Sequence, residues 1–189
     1  VKRKSVVLLL VTVPSPLAAH EAFGDLGPFY QGLLHPFADP AQGLVLAAVA
    51  VCLGRQPVST VRVAYLALVG AGVAGLLLAN LSVMPAPSLR VLTLAALAIA
   101  AVTFLPRQPG RVVISLVSLV AGLLAALAVA GGAAGDLLSL LGAAASIAVI
   151  PLLLWGAADM ANRRVFPHAS LVAAAWIGTV ALLAAVVPA

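Results

Sequence analysis

The chain has 189 residues, 64% of them hydrophobic and 8% charged, with a formal charge of +5 at pH 7. A soluble domain is about half apolar and a quarter charged, so a water-soluble globule is excluded. The apolar residues come in long blocks without period-two alternation, which points to membrane helices of about 20 residues and away from a transmembrane barrel.

Residues 1–19 read as a secretory signal. Lys2-Arg3-Lys4 is the charged start, Val6 to Val13 a short apolar run, and Pro14 and Pro16 break it before Ala18-Ala19. Cleavage there leaves His20 as the mature N-terminus. Residues 20–40 are polar and rich in Gly and Pro, and are expected at the outer surface. Residues 41–54 form the first deep apolar run. It is short, so the segment from about Tyr30 must help complete the span, with a break near Pro36 or Pro40. Five further spans are predicted at 63–81, 89–105, 112–130, 137–158 and 169–187. The expected fold is an all-α bundle of six transmembrane helices, residues 20–189, after the signal peptide. Short loops make neighbouring helices antiparallel.

The basic residues orient this bundle. Arg55 and Arg62, Arg107 and Arg111, and Arg163 and Arg164 fall in alternate loops, whereas the intervening loops hold only Arg90 and Asp136. The positive-inside rule puts the three Arg pairs in the cytoplasm and both mature termini outside, in a bacterial-type inner membrane. The pI of about 10.4 is thus an orientation signal, and nucleic acid is not an expected partner. Cys52, the single cysteine, lies in an apolar run and reads as a small buried hydrophobe.

The polar residues are few enough to weigh one by one. His20, His35 and Asp39 are candidate ligands for a metal ion at the outer face; imidazole and amine nitrogens suit Ni, Co or Cu bound in passing. The competing reading makes His20 a free terminus and His35 a hydrogen-bonding partner in the turn before Pro36. Gln42 and Asn80 either line a polar vestibule with Asp39 or bond between helices. Arg90 is expected to pair with Asp39 or Asp136, or to reach headgroups. Asp159 to Arg164 reads as a solvated helix end, and Tyr65 and Trp155 as belt anchors. No Ser/His/Asp set, HExxH or phosphate loop is present, so no enzyme is expected. The string Gly70-Ala71-Gly72-Val73-Ala74-Gly75 matches GxGxxG but lies inside an apolar span.

Four features together resemble the HupE/UreJ family of membrane proteins, associated with nickel or cobalt uptake for hydrogenase and urease. They are Ala19-His20 at the signal end, Gly32-Leu33-Leu34-His35-Pro36, the span ending Val51-Cys52-Leu53-Gly54, and the loop Met84-Pro85-Ala86-Pro87. The resemblance implies a divalent-metal permease or metal-handling protein whose outer mouth holds His35 and Asp39. The family pattern His-Pro-x-x-Gly-x-Asp-His is met only at His35 and Pro36. Asp39 takes the Gly place, and Ala41 and Gln42 stand where Asp and His are expected. A histidine motif of a later helix has no counterpart in residues 112–135. The alternative expectation is a non-transporting structural or accessory subunit of a larger membrane complex, with a protein partner or a second copy on its apolar faces.

Overall fold

The computed structural model describes residues 26–129 and 136–186. The signal segment 1–19, His20 and residues 131–135 lie outside the described residues. The described chain is all-α, with helices α1 (Pro28–Ala38), α2 (Pro40–Leu53), α3 (Val58–Asn80), α4 (Leu89–Thr103), α5 (Arg111–Val129), α6 (Leu137–Arg164) and α7 (Ala169–Val186). Four of them, α3, α5, α6 and α7, are long and apolar enough to cross a bilayer. The chain is a multi-pass helical membrane protein.

Local chemistry sets the helix ends. Pro28 and Pro40 occupy first-turn positions, where a missing N–H costs nothing and the fixed φ suits the helix. Ser88 caps α4 by accepting from Val91 N at 3.4 Å, and Asp136 caps α6 by accepting from Leu138 N at 3.0 Å. Arg163 and Arg164 lie in the last turn of α6, the favourable end of its dipole. Two helices outrun their apolar runs. α3 starts at Val58, five residues before the predicted span, because Pro57 can begin a helix whose first turn is polar. α6 continues to Arg164, so its 28 residues extend about 42 Å, well beyond a hydrocarbon core of about 30 Å.

α2 is the centre of the bundle. It contacts α4, α5, α6 and α7, and its sides are buried all round: Val45, Leu46, Val49 and Leu53 are each at most 1% exposed. A helix that is apolar on every face belongs in an interior. α1 turns away from α2 by 77° across the single residue Asp39, which bears out the break expected near Pro36 or Pro40. α1 then lies against the first turns of α6. The two backbones touch there. A Cβ at Gly32 would overlap the carbonyl oxygen of Ser139, and one at Gly142 would overlap that of Phe29. Small residues at such crossings allow the close packing that holds helices together in lipid. Along α6, Pro151 has no N–H for the Ile147 carbonyl. One residue on, Tyr65 donates its hydroxyl to Ala148 O at 2.8 Å. Tyr65, expected as a belt anchor, thus ties α3 to the proline turn of α6.

The glycine contact makes a direct test. Gly142→Ala should destabilise the protein by about 1–3 kcal/mol, as overpacked cores do. Gly70→Ala, where an added Cβ meets nothing within 4 Å, should leave thermal unfolding in detergent at or above the wild-type temperature.

Candidate functional site

The break between α1 and α2 gathers three of the polar residues singled out above. Asp39 adopts extended backbone and caps α2: its Oδ1 accepts from Ala41 N at 3.0 Å and from Gln42 N at 3.4 Å. Its own N–H donates to His35 O at 2.7 Å, closing α1. Gly43 lies under the last turn of α1, where a Cβ would come within 2.5 Å of the Pro36 carbonyl oxygen. These contacts let one residue carry the whole turn.

Gln42 is fully buried, at 0% exposure, and His35 is nearly so, at 8%. The Gln42 Nε2 donates to Ala125 O of α5 at 2.7 Å. That fixes the amide orientation, because only the NH2 end can serve a carbonyl. The amide oxygen therefore faces His35, whose Nδ1 lies 2.7 Å away. An oxygen acceptor requires the proton on Nδ1. The chain Nδ1–H to Oε1, then Nε2–H to Ala125 O, is consistent at every link. It joins α1, α2 and α5. It also holds the His35 ring in a fixed orientation. Metal-binding histidines commonly hold their other N–H on an oxygen in this way.

The remaining expected residues lie elsewhere. Asn80, the last residue of α3, is exposed, as are Arg90 at the start of α4 and Asp136 at the cap of α6. Asp136 spends its carboxylate on its own helix. Among the described residues the one ion pair is Arg163–Asp159 at 2.9 Å, so neither expected pairing of Arg90 is formed there. No group of three His, Cys, Asp or Glu converges as a metal cage among the described residues; His20, the third expected ligand, lies outside them.

The opposite end of α2 holds a second polar knot that sequence reasoning placed in solvent. Asn162 Nδ2 donates to Gly54 O at 3.0 Å and to Ser170 Oγ at 2.6 Å, and Asn162 Oδ1 accepts from Ser170 N at 3.0 Å. One half-buried amide thus joins α2, α6 and α7. Beside it, Arg55 donates to the carbonyl of Thr103, in the last turn of α4. Such end groups lack intrahelical partners, so a cation there satisfies a free acceptor. The signal in the sequence was Asn162 at i−8 from Ser170, across a turn containing Pro167.

Comparison with family models, with curated proteins and with solved structures finds no match to this chain.

The Gln42 network predicts a sharp penalty. Gln42→Leu keeps the bulk but strands the His35 N–H in an apolar site. It should cost about 1–3 kcal/mol, more than the roughly 0.6 kcal/mol of an average interhelical bond in lipid. Asp39→Asn should retain the cap, while Asp39→Ala should lose about 1 kcal/mol. Thermal unfolding of the three variants in one detergent ranks them.

Proposed function

We propose that the protein is a HupE/UreJ-like metal-handling permease of divalent nickel or cobalt, with His35 and Asp39 at the point where the ion enters. The observation that carries this reading is the broken helix. Membrane transporters commonly build ion sites at interrupted helices, where backbone and side-chain polar groups are available at depth. Here the interruption brings His35 and Gln42 into direct contact across seven residues. Those are the two positions at which the resembling family pattern carries histidine. Gln42 in place of the second imidazole orients His35, so the reading asks for the His35 imidazole as the surviving nitrogen ligand. His20 and the Asp39 carboxylate complete the proposed entry set.

The reading includes six spans after a cleaved signal. α2 with α1 counts as the first and α4 as the third; the 15 residues of α4 extend about 22 Å, which its apolar flank Phe104-Leu105 lengthens. The loops with Arg55 and Arg62, Arg107 and Arg111, and Arg163 and Arg164 then face the cytoplasm and both termini face outward, in an inner membrane of bacterial type.

A specific observation favours the second reading, a non-transporting accessory subunit. The interior beside α2 is closed by Val45, Leu46, Val49 and Leu53, and the buried amide of Gln42 is engaged on both sides. That is how a scaffold is held together.

Uptake of Ni²⁺ or Co²⁺ into proteoliposomes separates the two. The permease reading expects uptake that His35→Ala abolishes and that Asn162→Ala, at the far end of α2, retains in proportion to folded protein. Wild-type vesicles that take up neither ion, together with a stable membrane partner copurified in mild detergent, would establish the accessory reading instead.

A further inference from the structure

The Arg-bearing end of the bundle carries more cations than its own contacts use. Among the described residues, Arg55 is held by the Thr103 carbonyl and Arg163 by Asp159. Arg62, Arg107, Arg111 and Arg164 are exposed. Two of these are placed where the helix itself disfavours a cation. Arg111 is the first residue of α5 and Arg62 the fifth of α3, toward the positive ends of both helix dipoles. Neither helix has an acidic residue in its first turn, and Pro57, the N-cap of α3, provides no side-chain cap.

The two arginines also lie at one level of packed helices. α3 and α5 run parallel in close contact: a Cβ at Gly122 would overlap the Leu68 carbonyl, and one at Gly75 would meet Ala126 Cβ at 2.7 Å. This register puts Arg111 level with the first turn of α3 and Arg62 level with the first turn of α5. Two parallel helix starts, each with one guanidinium group, thus lie side by side on the rim.

Below that spot the surface is apolar and exposed. On α3, Leu66 is 69% exposed, and Val73 and Leu77 continue its stripe. The spacing from Arg62 through Leu66, Val73 and Leu77 is that of one helical face. A soluble anion has no use for such a stripe, whereas an acyl chain does. We infer that Arg62 and Arg111 form a binding site for the headgroup phosphate of an anionic phospholipid whose acyl chains run along the outer face of α3. Guanidinium groups suit phosphate through paired N–H donors. The site rests on the membrane-spanning reading of α3 and α5 and is independent of the metal chemistry at His35.

The test is thermal unfolding of the full chain in a neutral detergent with added lipid. Phosphatidylglycerol should raise the unfolding temperature, and phosphatidylcholine with the same chains should raise it less. Arg62→Gln/Arg111→Gln should lose most of the phosphatidylglycerol increment while matching wild type in phosphatidylcholine. Arg62→Lys/Arg111→Lys should keep much of it, as should Arg163→Gln/Arg164→Gln. The increment should shrink as salt rises. Equal effects of the two lipids, an undiminished increment in the Gln double variant, or an equal shift from inorganic phosphate alone would each overturn the proposal. If the Gln double variant does not fold, the Lys variant decides: an increment no larger than with phosphatidylcholine sinks the site.

Discussion

A helix that breaks within a packed apolar bundle frees buried backbone groups, and each costs free energy if left unpaired. The turn between α1 and α2 is built around that constraint. Pro40 removes one donor outright. The Asp39 carboxylate takes two more from Ala41 and Gln42, and the Asp39 N–H returns to His35 O. Gly43 makes room for the Pro36 carbonyl to pass. Because this turn is satisfied within itself, α1 can leave the bundle axis at 77°. It can then lie across α6 at the Gly32–Gly142 crossing. The direction of α1, and with it the position of His35, follows from how these few groups are paired.

The central helix is fastened at its ends and smooth along its sides. Gln42 holds one end to α1 and α5; Gly54 and Arg55 hold the other to α6, α7 and α4. In lipid, apolar side chains gain little by touching one another, so they set contact area but not register. Directed bonds at the two ends supply the register. The same logic explains Tyr65 on Ala148 O, which joins α3 to the one place in α6 where a proline weakens the backbone ladder.

Most of the helices were legible because they are apolar blocks bounded by Pro, Gly and Arg. The break at Asp39 was legible too, since two prolines in five residues cannot sit within one straight helix. Hydropathy could not see that Val58 to Arg62 are helical, for turns with polar residues carry little apolar signal, whereas Asp159 to Arg164 was read as a helix end and is one. At the candidate site, His35, Asp39 and Gln42 stood out as rare polar residues, but their partners did not. The Ala125 carbonyl has no side-chain signature at all, and no local pattern announces that a main-chain oxygen near the end of α5 will take an amide. Asn162 was misplaced for the same reason: its neighbours are charged, so it looked solvated, while its contacts lie 108 and 8 residues away. Long-range polar pairing is a property of the packed bundle.

The place of α2 in the chain has a consequence for assembly. It is only 14 residues long, and four of the helices packed on it, α4 to α7, are made after it. A segment of that length is a poor free-standing membrane anchor. Its final partners do not exist until α7 has been made. The bundle must therefore close around α2, held until α7 arrives to meet Asn162 and Gly54. Loss of α7 would then unseat α2, so the integrity of the turn at Asp39 depends on a helix made more than a hundred residues after it.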